Sequence, residues 1–106
     1  VFKFAVGAST TEVEALLKEI GMSKSDVRFY MVHQANLRII DAIKKYLDEP
    51  DEKFPVNIQD HGNSSSASCA ILLDECNRKG MFKPGDILVF SAFGAGLLSA
   101  AAVLEW

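Results

Sequence analysis

Apolar residues recur every three or four positions in some stretches of the chain and gather into short unbroken runs in others, and that contrast outlines the fold. Val13, Leu16, Leu17 and Ile20 mark the inner face of a helix that Gly21 closes, with Ser9-Thr10-Thr11 before Glu12 where a cap is expected. The run ahead of it, Val1 to Val6, alternates weakly like a strand, yet Val1 and Ala5, and Phe2 and Val6, also pair at helical spacing. The pattern leaves that segment open. A polar loop, Ser23 to Asp26, leads into an apolar strand that ends Phe29-Tyr30-Met31-Val32. Leu37, Ile40, Ile43 and Leu47, with Ile39, then predict a helix over Leu37 to Leu47 whose outer face carries Arg38, Asp41, Lys44 and Lys45. Pro50 and the acidic run Asp48 to Glu52 end it.

Phe54-Pro55-Val56-Asn57-Ile58 reads as a short strand, limited at its start by Pro55. From Ser66 a helix containing Ala67, Ala70, Ile71, Leu72 and Leu73 runs to Arg78-Lys79 and stops at Gly80. Lys83-Pro84-Gly85-Asp86 is a turn. Two apolar strands follow, Ile87 to Phe93 and Leu97 to Trp106, and the short Gly94-Ala95-Gly96 link permits only an antiparallel pair. Helices alternating with strands in this order imply an α/β fold: a mostly parallel sheet flanked by helices, with an antiparallel last strand.

Length and charge narrow the class. At 106 residues, 49% of them hydrophobic, the chain is a single domain spanning residues 1–106. A net charge of −3 without a long basic stripe argues against nucleic acid as a partner. The longest apolar run, Gly94 to Leu104, is shorter than the roughly 20 residues of a membrane span, so no membrane association is expected. Cys69 and Cys76 on one helix would stand roughly 10 Å apart at about 1.5 Å per residue, which suggests free thiols, a reducing compartment and a cytoplasmic location. The chain starts at Val1 rather than Met, as a piece of a longer protein would.

Three corners could carry chemistry. His33 lies between a strand and a helix, where open α/β sheets place ligands, and an imidazole there can donate a hydrogen bond, accept a proton or bind metal. The plain alternative is a satisfied core histidine. In Gly62-Asn63-Ser64-Ser65-Ser66, Asn63 is either a turn and cap residue or an amide donor aimed at a developing oxyanion near a helix N-terminus. Gly94-Ala95-Gly96 is either a hairpin turn or a close approach to backbone N–H groups. Zinc held by His33, His61, Cys69 and Cys76 is disfavoured, because no two of them have structural-zinc spacing. Both thiols, amid Ala70, Ile71 and Leu72, read as buried and inert. Arg38 and Lys45, two turns apart with Lys44 alongside, form either a solvated face with Arg38 paired to Asp41 or a small basic docking patch.

The motifs His33-Gln34-Ala35-Asn36-Leu37-Arg38-Ile39-Ile40, His61-Gly62-Asn63-Ser64-Ser65-Ser66-Ala67-Ser68, Lys83-Pro84-Gly85-Asp86 and Phe93-Gly94-Ala95-Gly96 resemble the C-terminal half of β-ketoacyl-acyl-carrier-protein synthase III, over essentially the whole chain. The resemblance implies a thiolase-like fold and an acyltransferase that begins fatty-acid synthesis by a decarboxylating Claisen condensation of an acyl-CoA with malonyl-carrier protein. It implies that His33 and Asn63 are two members of a Cys, His, Asn triad, hydrogen-bonding the thioester carbonyl as CO₂ leaves. The nucleophilic Cys belongs to the family's N-terminal half, and neither Cys69 nor Cys76 matches it, so the chain alone is expected to be inactive.

The same resemblance assigns coenzyme A or pantetheine contacts to Asn36, Phe2 and Ala35, carrier-protein docking to Lys3, Arg38 and Lys45, and an oxyanion and acyl-pocket loop to Gly94, Ala95 and Gly96. It implies no metal and no cofactor beyond the coenzyme A and phosphopantetheine thioesters that are substrates. As partners it implies acyl carrier protein, acyl-CoA, the N-terminal half and a second copy in a homodimer. It makes Val1 to Leu17 part of one long helix.

The family usually has Gly where Ala95 stands and commonly Trp-Gly where Ser99-Ala100 stand, so acyl-chain preference is open. The half-domain's first strand would precede Val1. The resemblance makes it a central strand, without which the strands after Lys24 and after Glu52 lack a neighbour connecting them to the terminal hairpin, so the isolated segment is expected to pair strands with another copy or to split its sheet. A related polyketide-type acyl-thioester synthase, or a non-catalytic carrier-protein or coenzyme A binding module, would preserve many of these residues.

Overall fold

A computed structural model of the chain describes residues 2–33, 37–57, 68–94 and 98–106; within these, the side chains of residues 2–5, 68, 93, 94, 98 and 99 are left aside. Helix α1 spans Phe2–Glu19, strand β1 Phe29–Val32, helix α2 Leu37–Leu47, helix α3 Ser68–Arg78, strand β2 Ile87–Gly94 and strand β3 Leu98–Glu105. β1 pairs in parallel with β2, Val32 opposite Ser91, and β2 pairs antiparallel with β3, Val89 opposite Val103. The sheet order is β1-β2-β3.

The two faces of the sheet carry separate cores. Tyr30, Val32 and Val89 pack with Val6, Val13 and Leu17 of α1 and Ile39, Ile40, Ile43 and Leu47 of α2. Phe29, Met31 and Leu88 pack on the other face with Leu72 and Cys76 of α3 and with Phe82. Because alternate strand residues point to opposite faces, β1 is buried on both sides, which its unbroken apolar run required. α2 closes this core with three isoleucines and a leucine at helical spacing, and truncating one of them to Ala would cost about 2–5 kcal/mol.

Helix ends are fixed by the residues that terminate the apolar patterns. Gly21 (φ 75°) follows α1, and Met22 N–H donates to the Leu17 carbonyl at 2.9 Å while Gly21 N–H reaches Lys18 at 3.2 Å. Gly80 (φ 70°) repeats the arrangement after α3. After α2 the left-handed position is taken by Asp48 (φ 56°), with Glu49 N–H on the Lys44 carbonyl at 3.3 Å. All three are Schellman closures, two on glycine and one on a residue with a Cβ.

Four sequence expectations change. α1 is continuous from Phe2, as the family resemblance implied, so the Ser9–Thr11 cap expected from the pattern does not exist; the Thr10 hydroxyl bonds back to the Val6 carbonyl at 2.8 Å, an arrangement compatible with a helix interior. Residues 54–57 are irregular and not a strand. Phe54 leaves a 3₁₀ turn at Asp51–Lys53 and stacks on Tyr30 (centroids 4.8 Å apart), and Pro55 has no N–H for a ladder. The last residue of the expected strand, Ile58, lies outside the described residues. The sheet of the described residues is also continuous rather than split, since β1 finds its neighbour directly in β2. Finally, Cys69 sits in the first turn of α3 and is half-buried, whereas Cys76 is buried as expected; both are free thiols.

Among the described residues no helix is long and apolar enough to cross a membrane.

Candidate functional site

A parallel pair brings the carboxyl ends of its strands to one side, and here that side holds the corners singled out in the sequence. His33 follows β1 directly, and its backbone N–H donates to the Ser91 carbonyl at 2.8 Å, extending the β1–β2 register by one residue. β2 continues to Gly94, which stands opposite Leu98. The thiol of Cys69 approaches the carbonyls of Met31 (3.8 Å) and Ser91 (3.9 Å), so the N-terminal turn of α3 lies at the same end of the sheet. α2 begins at Leu37, four positions after His33.

One sheet end therefore gathers His33, the end of β2 and the N-termini of α2 and α3. Helix N-termini present unpaired N–H groups and the positive end of the helix dipole, which favour negative charge. Segments 34–36, 58–67 and 95–97, which carry Ala35, Asn36, Asn63, Ala95 and Gly96, all join described residues at these elements, and they themselves lie outside the described residues.

His33 is only 8% exposed. Burial penalises its charged form and lowers its pKa, so the ring is neutral at neutral pH, with one nitrogen as donor and the other as acceptor. A neutral imidazole at a helix-lined, partly desolvated strand end is suited to donating a hydrogen bond to an oxygen that gains charge during a reaction.

The basic face of α2 is smaller than its sequence suggested. Lys44 is bound to Asp41 at 3.1 Å and to Asp51 at 2.9 Å, and the hydrogen bond to Asp51, ahead of that to Asp41, raises its pKa. Asp41 is thus held by Lys44 at i, i+3. Arg38 and Lys45 are exposed on the same helix. Asp41, Lys44, Lys45, Asp48, Glu49 and Asp51 line one depression, so Lys45 stands in an acidic surround. Phe2 and Lys3 are in the first turn of α1, their side chains outside those described.

Among the described residues no group of three or more His, Cys, Asp and Glu side chains is placed to hold a metal ion, and His61 lies outside them. Cys76 is buried and its pKa is raised chiefly by that burial, which leaves it a poor nucleophile. Sequence reasoning missed Ser91, whose contribution is a backbone carbonyl and leaves no side-chain signal. It also missed Asn57, whose amide donates to Glu75 Oε1 at 2.8 Å. A polar residue inside an apolar run was the available clue.

Comparison with known proteins bears on the family and the fold. Residues 17–106 match the family described as 3-oxoacyl-[acyl-carrier-protein] synthase III C terminal. The chain is 44% identical over its whole length to β-ketoacyl-[acyl-carrier-protein] synthase III of Caldanaerobacter subterraneus subsp. tengcongensis, and 42% identical to that of Clostridium tetani, in each case covering 32% of the relative. It superposes with a TM-score of 0.96 on the crystal structure of the Thermus thermophilus synthase III, at 43% identity, covering 100% of this chain and 33% of that one. The Aquifex aeolicus structure gives the same TM-score at 39% identity. The chain thus spans about a third of the length of the relatives it matches, and the α/β fold is thiolase-like, as the motifs implied. With most of its length matched by the family and its fold shared across the chain, this protein belongs to the 3-oxoacyl-[acyl-carrier-protein] synthase III C-terminal family.

Proposed function

We propose that the chain is the C-terminal catalytic portion of a 3-oxoacyl-[acyl-carrier-protein] synthase III, which condenses an acyl-CoA with malonyl-carrier protein. The observation that carries this reading is His33: a buried, neutral imidazole at the carboxyl end of β1, where the β1–β2 pairing continues through its backbone N–H, inside a chain of this family. In the reaction, the bond between the malonyl carboxylate and its α-carbon breaks and CO₂ departs. The electron pair moves onto the thioester carbonyl oxygen, where His33 and Asn63 donate hydrogen bonds. The resulting carbon nucleophile attacks an acyl group held on a cysteine supplied from outside these residues, and the cysteine thiolate leaves. A donor of this kind is worth on the order of 2.7–4 kcal/mol of transition-state stabilisation.

The remaining assignments follow the family motifs. Asn36, Phe2 and Ala35 contact coenzyme A or pantetheine, and Gly94, Ala95 and Gly96 form the loop beside the acyl oxyanion. Lys3, Arg38 and Lys45 receive the acidic carrier protein, with Lys44 already neutralised by its own carboxylates. The two free thiols fit a cytoplasmic enzyme, and a homodimer is the assembly proposed.

The test is condensation measured with the isolated chain and with a full-length protein carrying the other two thirds present in the relatives. The full-length protein forms 3-oxoacyl-carrier protein with release of CO₂, and the isolated chain does neither. Condensation by the chain alone, or its absence from an acyl-CoA-binding full-length protein, overturns the reading.

A further inference from the structure

We propose that Tyr46 is an apolar anchor for the carrier protein, which seats on the ridge that Arg38, Ala42 and Tyr46 form along α2. The proposal rests on the reading of the chain as part of a synthase III that takes malonyl-carrier protein. It deepens that reading by naming what the partner grips besides charge.

Residues four apart stand one above the next on a helix, so Arg38, Ala42 and Tyr46 make a single ridge, roughly 12 Å long at about 1.5 Å per residue. Arg38 and Tyr46 are exposed, and Ala42 between them packs on the core beneath. The Tyr46 ring is 71% exposed, more than any other large apolar side chain among the described residues. One ring in water is unexceptional by itself. Its neighbours on the helix give it a task.

The outer surface of α2 divides by charge. On one flank Lys44 is ion-paired with Asp41 and with Asp51, and Asp41, Asp48, Glu49 and Asp51 line one depression. At about 100° per residue, Tyr46 stands roughly 140–160° around the helix axis from Asp41 and Asp48. None of the three ridge residues is acidic. An acidic partner is therefore repelled from the carboxylate flank and drawn by Arg38 to the other.

The ridge also leads to the site. Arg38 is the second residue of α2, at the sheet end where His33 lies, and Tyr46 is two turns farther out. A carrier protein that reaches His33 with an arm-borne thioester has to rest beside this end, and the ridge is a seat there. Tyr and Arg are the residue types enriched at interface anchors. The two act differently: salt screens the pull of Arg38, whereas burial of the ring is not weakened by it.

The experiment uses the full-length enzyme and measures CO₂ release from malonyl-carrier protein and from malonyl-pantetheine, a thioester with no protein attached. Tyr46→Ala raises the KM for malonyl-carrier protein on the order of 5- to 10-fold with kcat retained, and does so equally at about 50 mM and about 500 mM salt. Turnover of malonyl-pantetheine is unchanged, which also shows that the variant is folded. Tyr46→Phe keeps the ring and the KM, and Tyr46→Glu, which adds a carboxylate to the ridge, raises the KM further at low salt. An unchanged KM in Tyr46→Ala, an equal loss with malonyl-pantetheine, or a loss that vanishes at high salt overturns the anchor. A change of assembly in sedimentation of Tyr46→Ala also overturns it, by assigning the ring to a contact between copies. If the unsubstituted enzyme releases no CO₂ from malonyl-carrier protein, the functional reading has failed and the anchor falls with it. If it does release CO₂ and Tyr46→Ala matches its KM, the anchor alone is wrong.

Discussion

The backbone N–H of His33 lies 2.8 Å from the carbonyl of Ser91, one step beyond the last residue of β1. This bond holds the histidine on the strand that leads to Gly94, so its position is set by the sheet and not by a free loop. The side chain is correspondingly desolvated, and its pKa is lowered.

That shift has a consequence for stability. The folded chain binds a proton at His33 less readily than the unfolded chain does, so unfolding takes up a proton at acidic pH. The stability associated with neutral His33 is present above the ordinary imidazole value of about 6.5 and is lost as pH falls from there through the lowered folded value. Urea midpoints measured across this range decrease with falling pH, and His33→Gln reduces the slope. An unchanged slope in that variant would mean the imidazole is not the group responsible.

The charge distribution on α2 separates two residues that the sequence treated alike. Arg38 stands at the start of the helix, while Lys45 shares a depression with Asp41, Asp48, Glu49 and Asp51. In the full-length enzyme, Arg38→Ala raises the KM for malonyl-carrier protein several-fold at low salt, and Lys45→Ala by less than about twofold, both effects shrinking as salt screens the encounter. A larger effect from Lys45 than from Arg38 would contradict this division.

Asp48 is the left-handed closing residue of α2 (φ 56°), at the helix end where a negative charge is unfavourable. Asp48→Gly removes both the Cβ penalty and the charge and is expected to stabilise the protein by about 1 kcal/mol, net of glycine's greater freedom in the unfolded chain. Asp48→Asn, which removes only the charge, gives a smaller gain. The check is the urea midpoint at neutral pH; a decrease in Asp48→Gly would show that the carboxylate makes a compensating contact.

How much of this was legible differed by element. α2 was read to the residue because Ile39, Ile40, Ile43 and Leu47 bury one stripe of an otherwise charged helix. The start of α1 is ambiguous in the pattern because Val1 to Val6 alternates like a strand while also pairing at helical spacing, and Ser9 and Thr10 look like a cap until the Thr10 bond back to Val6 accounts for their place inside the helix. The pairing of β1 with β2 was hidden, since periodicity marks a strand and its faces but not its neighbour across a long crossover. Residues 54–57 were misread because the run is apolar, while Pro55 and the Asn57 side-chain bond give it a different task. At the site, the His33 corner was visible from the chain and its motif. The neutralisation of Lys44 by Asp51 was not, because it joins α2 to a separate turn.

The central claim is that this portion supplies hydrogen-bond donors for an enolate, while the acyl nucleophile lies elsewhere. The most direct measurement is CO₂ release from malonyl-carrier protein by full-length His33→Ala, taken alongside acyl transfer to the cysteine in the same variant. CO₂ release falls on the order of 100- to 1,000-fold while acyl transfer remains close to wild type. Wild-type CO₂ release from a folded His33→Ala enzyme would contradict the account.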